Sequence, residues 1–138
     1  MHKVVLDTNV LVSAFWSSLG SPFRILEMFF EGELSLYYND DILAEYDEVM
    51  HREKLGFSDE KVLALVAEIE TYGIKLDSTA STIPFIDEDD RKFYDTATAS
   101  GAVVVTGNKR HFPDDPIILT PAEFLKSIEP LLQESRLT

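Results

Sequence analysis

Short β-branched runs alternating with stretches of helical period predict an α/β protein, a three-layer α/β/α sandwich around a mostly parallel sheet of about five strands. Two further observations agree. The 138 residues fit a single domain, 1–138, long enough to bury about two-thirds of its unfolded surface without staples. Hydrophobic residues at 45% and charged ones at 27% are globular proportions, and no repeat, low-complexity tract or linker divides the chain. There is no cysteine, which excludes a disulfide framework, a thiolate metal site and a cysteine nucleophile.

The elements follow in order. His2 to Leu6 reads as a buried strand. Pro22 to Phe30 reads as a helix with Ser21 as N-cap and Pro22 in its first position, closed by Gly32. Leu34 to Tyr38 is a second strand, after which Asp40 or Asp41 caps a helix to about His51. Ser58 to Thr71 is a further helix, stopped at Gly73, and Ile74 to Leu76 a short strand. Beyond the loop Ile83 to Asp89, a helix spans Asp90 to Ser100 and ends at Gly101. Val103 to Thr106 and Ile117 to Leu119 are strands, and Thr120-Pro121-Ala122-Glu123 opens a last helix as a capping box. Sites in such folds form at the carboxyl ends of the strands.

Twelve Lys and Arg against 25 Asp and Glu leave a formal charge of −13. That argues against holding nucleic acid on a broad basic surface, and leaves room for a cation held by clustered carboxylates. The amino terminus turns acidic within seven residues and no apolar run approaches the ~20 residues of a membrane span. A cytoplasmic protein without membrane attachment is expected.

Several acidic residues fall where a strand or helix would aim them at one rim. Asp7 ends the first strand, followed by Thr8 and Asn9. Glu45 lies at the edge of the apolar stripe Ile42, Leu43, Tyr46, Val49 and Met50, while Glu48 faces solvent. Asp90 lies on the stripe of Phe93, Tyr94 and Ala97, one turn earlier, whereas Asp95 projects away as a flank or solvent group. Asp87, Glu88 and Asp89 form a solvated acidic loop that also supplies the helix cap. Thr106 and Asn108, at the end of the Val103 strand, offer a hydroxyl and an amide oxygen toward the edge that carries Asp7. Singly, each has an ordinary explanation as a cap, a turn or a stripe-edge side chain. Together, three carboxylates would repel strongly without a cation among them. Oxygen ligands alone select Mg²⁺ or Mn²⁺ over Zn²⁺. Lys109, Arg110 and His111 form the sharpest basic cluster and, with Arg91 and Lys92, could receive a polyanion backbone. Phe15 and Trp16 are expected to pack in the core.

These residues are familiar as a set. Val-Val-Leu-Asp-Thr-Asn-Val-Leu-Val-Ser-Ala (4–14) resembles the opening of PIN-domain nucleases, the family of many bacterial toxin–antitoxin toxins. Ile42-Leu43-Ala44-Glu45-Tyr46 matches the family's acidic residue on a helix, and Asp90 in Asp-Arg-Lys-Phe-Tyr-Asp-Thr-Ala its helix-opening Asp. Val-Val-Val-Thr-Gly-Asn (103–108) matches its strand ending in Thr-x-Asp, with Asn108 in place of the last Asp. The likeness runs from about Val4 to Leu125. It implies metal-dependent hydrolysis of single-stranded RNA, with Asp7, Glu45 and Asp90 as catalytic residues that join Asn108 around Mg²⁺ or Mn²⁺. Asn9 and Thr106 would support the site, and Lys109, Arg110 and His111 would bind substrate. An antitoxin partner and a homodimer are further implications.

Two other readings stay open. A PIN-fold protein that binds RNA or a partner with little catalysis is suggested by Asn108. A receiver-like phospho-signalling domain shares the length and the acidic pocket, but it needs an Asp ending the third strand, for which Leu76-Asp77 is a weak match, and a Lys after the fifth, where Thr120-Pro121 stands.

Overall fold

The structure, a computed structural model, describes residues 2–128; the expected domain of 1–138 extends beyond this, and Met1 and residues 129–138 lie outside the described residues. Strand β1 (His2–Leu6) sits at the centre of a five-stranded sheet. It is flanked by β2 (Leu34–Tyr38) and β4 (Val103–Val105), with β3 (Ile74–Lys75) and β5 (Ile118–Leu119) outside them. All four pairings are parallel, with Val4 opposite both Leu36 and Val103. The order β3-β2-β1-β4-β5 differs from the 2-1-3-4-5 order of receiver domains, which removes that reading. Val4, Val5 and Leu6 are fully buried, so both faces of β1 are covered, since successive side chains alternate between faces.

The helices are α1 (Thr8–Trp16), α2 (Ser21–Phe30), α3 (Asp40–Met50), α4 (Asp59–Tyr72) and α5 (Arg91–Ser100). A last helix is described over residues 121–128. Thr120 and Glu123 close the predicted capping box at its start, each side chain accepting from the other's backbone N–H. Helix α5 lies across β2, β1 and β4, and α3 packs against α1, α4 and α5. Where α3 meets α5, Tyr46 and Phe93, both fully buried, stack at 6.4 Å. The Tyr46 hydroxyl donates to the Leu6 carbonyl at 2.5 Å, which fixes α3 to the end of β1.

Several expectations are corrected. The first strand leads directly into α1, which no amphipathic pattern announced. Ser21 is the first residue of α2, and Gly20 holds the cap position. The cap of α3 is Asn39 and neither Asp40 nor Asp41: its Oδ1 accepts the Ile42 N–H at 2.9 Å. Asp90 closes a 3₁₀ turn (Glu88–Asp90) before α5 instead of opening the helix proper, and Asp87 caps that turn. Asp95 is 5% exposed and not a solvent group, because the chain around Ser81 folds over that side of α5. Trp16 is 64% exposed and leans on Phe57, while Phe15 packs against the core.

Two glycines shape the turns. Gly101 has φ of 75°, a left-handed conformation that lets α5 turn back into β4. A Cβ on Gly73 would stand 2.5 Å from the Ile69 carbonyl and 3.0 Å from the Tyr38 ring, so α4 meets β2 there only without a side chain.

Asn39 also joins layers: its Nδ2 donates to Thr96 Oγ1 of α5 at 3.0 Å. Asn39→Ala loses cap and tie together and is expected to destabilise the chain by roughly 1–3 kcal/mol in urea unfolding. Asn39→Asp keeps the cap acceptor and loses the donor, so its loss should be smaller. Equal losses in the two variants would contradict this division.

Candidate active site at the carboxyl ends of β1 and β4

Beyond Leu6 the chain keeps one more ladder bond, from the Asp7 N–H to the Val105 carbonyl at 2.9 Å, and then turns into α1. Asp7 occupies the α1 cap position but makes no side-chain cap. Its Oδ2 accepts instead from the Thr106 hydroxyl at 2.7 Å and from Asn9 Nδ2 at 3.3 Å. Thr106, fully buried, in turn accepts the Asn108 N–H at 3.0 Å, and Asn9 Oδ1 accepts the Gly107 N–H at 3.1 Å. The two strand ends are thus laced together by Asp7, Asn9 and Thr106. This is the switch point of the sheet, where connections leave β1 toward β2 on one side and β4 lies on the other.

Glu45 reaches the same place from α3. Its Oε2 accepts from the Thr8 hydroxyl and its Oε1 pairs with Lys92 Nζ at 2.8 Å. Asp90 comes in from the start of α5, 15% exposed, with His111 Nδ1 at 3.7 Å. The Asn108 amide donates to the His111 ring at 3.1 Å.

The electrostatics bind these groups into one cluster. Burial raises the Asp7 carboxyl above its ordinary value; the Thr106 hydroxyl opposes this and the Glu45 charge reinforces it. Asp90 is pushed up to about 6, first by burial, then by the charges of Asp7, Asp87 and Glu45, with His111 acting the other way. Beneath them the Tyr46 hydroxyl is raised well above its ordinary value by burial and by the charges of Asp7 and Glu45. Asp7, Glu45, Asp90, Asn108, Asn9 and Thr106, singled out in the sequence, therefore meet at one site. The carboxylates are neighbours without touching, and among the described residues no three acidic or histidine side chains are grouped closely enough to cage a metal ion as they stand.

The basic set is dispersed. Lys109 pairs with Glu123 at 3.0 Å, and Arg110 is exposed. Arg91 is committed to Glu88 at 2.7 Å and to the Ser81 carbonyl and hydroxyl at 2.8 and 2.9 Å.

Three participants have roles other than those read from the sequence, where Thr8 has none, Lys92 stands with the basic set and Asp95 is a flank or solvent group. Thr8 and Lys92 hold Glu45, and only the spacing of Thr8 beside Asp7 could have pointed to the first. Asp95 lines a cavity of about 400 Å³ beside Glu45, with Asn39, Asp41 and Asp89. Its Oδ2 accepts the Ser81 N–H at 3.0 Å, and its Oδ1 is buried without a partner.

With the geometry in place, three comparisons bear on the chain. A family model described as PIN domain matches residues 3–110. An uncharacterized protein of Methanocaldococcus jannaschii, MJ1680, is 32% identical over 111 residues, covering 78% of this chain and 71% of that one. In fold, the chain is similar to the crystal structure of VapBC2 from Rickettsia felis bound to a DNA fragment from their promoter. The TM-score is 0.57 at 20% identity, covering 86% of this chain and 96% of that one. The strand order, the laced ends of β1 and β4 and the match over residues 3–110 lead to one conclusion: the chain belongs to the PIN-domain family.

Proposed function

We propose that this chain, as one domain over residues 1–138, is a Mg²⁺- or Mn²⁺-dependent endoribonuclease of single-stranded RNA. The observation that carries the reading is the meeting of Asp7, Glu45 and Asp90 at one rim, where burial first, and the neighbouring charges after it, hold Asp90 at about 6. A family of nucleases is the context in which such a cluster has a use.

The donor set fits a hard divalent cation, because it consists of carboxylate and amide oxygens whose mutual repulsion an added cation would relieve. Asp7, Glu45, Asp90 and Asn108 are the residues that would hold it. Bound there, the ion would supply charge neutralisation at the phosphate and an activated water. The chain's own groups do the rest. Thr106 and Asn9 fix the Asp7 carboxylate, Thr8 orients Glu45, and His111, which the Asn108 amide contacts, stands 3.7 Å from Asp90. Lys109, Arg110 and His111 are the side chains assigned to the RNA backbone.

The biological reading is the toxin of a toxin–antitoxin pair, active as a cytoplasmic homodimer and restrained by an antitoxin that places a basic side chain among the carboxylates. Its support is the PIN family together with the fold likeness to VapBC2. No helix among the described residues is long and apolar enough to cross a membrane. RNA or partner binding with little catalysis is the second reading, favoured by Asn108, and the first experiment below separates the two.

Asp7→Asn is expected to abolish both Mn²⁺ binding, measured by calorimetry, and cleavage of a single-stranded RNA. Cleavage that persists in this variant would overturn the mechanism. A wild-type chain that binds RNA without cutting it in Mn²⁺ would establish the second reading.

The raised Asp90 carboxyl sets a pH dependence. The folded chain holds that proton more tightly than the unfolded one, so the contribution of Asp90 to stability is fully present below the ordinary value of 3.8 and is lost as pH rises through about 6. Asp90→Asn should therefore stabilise the metal-free chain at neutral pH by on the order of 1–2 kcal/mol. The gain should vanish below about pH 4, where Asp90 is protonated in both states. Thermal unfolding at the two pH values reads this out, and a gain of the same size at both would contradict it.

A further inference from the structure

We propose that Lys92 is a tethered counter-cation of the acidic cluster, which a divalent ion must displace from Glu45 before that carboxylate can serve as a ligand. The inference rests on the metal-dependent reading above. Both Glu45 oxygens are occupied by the chain itself, Oε2 by the Thr8 hydroxyl and Oε1 by the Lys92 ammonium at 2.8 Å. The ammonium also donates to the Asp89 carbonyl, so it bridges α3 and the turn that carries Asp90. Its Nζ also lies over the Phe93 ring, 5.0 Å from the centroid.

This pair differs from the others on the molecule. Lys92 and Glu45 are 19% and 24% exposed, and among the described residues no other ion pair has both side chains below a quarter. Lys75–Asp40 and Lys109–Glu123 are rim pairs of the kind that contribute little. At Glu45 the ammonium is partly withdrawn from water, and it supplies one positive charge where Asp7, Glu45 and Asp90 converge.

A metal ion that takes Oε1 of Glu45 as a ligand meets the ammonium there. Two cations on one carboxylate oxygen repel at close range, so the ion and the ammonium exclude each other from Oε1. Metal binding is then an exchange, and its affinity is lower than the carboxylates alone would give.

The test is Mn²⁺ binding to the metal-stripped full chain, by calorimetry and by the free-ion paramagnetic resonance signal, at one pH and salt concentration. Lys92→Met should bind Mn²⁺ on the order of five- to tenfold more tightly than wild type, while Lys92→Arg, which keeps the charge, should stay close to it. In a Glu45→Gln background the gain from Lys92→Met should disappear, because the competition is for that carboxylate. Circular dichroism checks folding, and if Lys92→Met fails to fold, Lys92→Gln carries the same expectation. Unchanged or weaker Mn²⁺ binding in a folded Lys92 variant overturns the inference, and so does a gain that survives in Glu45→Gln. If wild type binds Mn²⁺, Asp7→Asn does not, and the Lys92 variants match wild type, the metal reading stands and the role of Lys92 falls. If neither wild type nor the Lys92 variants bind Mn²⁺, both fall.

Discussion

Repulsion among Asp7, Glu45 and Asp90 is the constraint around which this end of the molecule is built. A parallel sheet ordered 3-2-1-4-5 brings the ends of β1 and β4 side by side, and α3 and α5 converge on the same gap. Each carboxylate arrives with a partner that makes its charge tolerable. Asp7 has the Thr106 hydroxyl and the Asn9 amide, Glu45 has Thr8 and Lys92, and Asp90 has His111 nearby. The partners come from different elements, so holding the charges apart also holds the elements together. Asn39 repeats the pattern with neutral groups, capping α3 while it grips Thr96 of α5.

The charge of −13 and a polyanionic substrate are reconciled by where the acid lies. Carboxylates such as Asp41, Asp47 and Glu48 are exposed, and at physiological salt their fields fade over about 8 Å. The inner carboxylates are different in kind, because burial leaves them poorly screened and coupled to one another. A chain can therefore be acidic overall and still present an anion with a cation-bearing cleft. What decides binding is the local charge at that cleft, which depends on which cations occupy it.

Strands and most helices were legible because their signals are local. β-branched runs give β1 and β4, Gly101 ends α5, and Thr120 and Glu123 announce their capping box. Helix α1 was not, since Val10, Leu11, Val12, Ala14, Phe15 and Trp16 are apolar nearly all round and show no polar face to set the period. Asn39, Asp40 and Asp41 are three adjacent residues able to cap, and only the backbone path selects the first. Asp95 was misread because a helical wheel knows nothing of the distant chain at Ser81 that folds over it. The acidic rim was visible as residues at strand ends and stripe edges. The pairing of Lys92 with Glu45 was not, because it joins positions whose separation no periodic rule covers.

Asn108 illustrates how such a cluster is tuned. Its backbone N–H props the Thr106 hydroxyl that serves Asp7, and this bond would survive almost any side chain. Its amide donates to His111, the one group that opposes the upward push on Asp90. A carboxylate in its place would instead accept from His111 and add a negative charge near Asp90, whose carboxyl is already held near 6. The amide retains an oxygen able to face a cation while leaving the anion count at three. The positive charge set directly on this cluster is then the one the chain itself supplies at Glu45, the Lys92 ammonium at 2.8 Å.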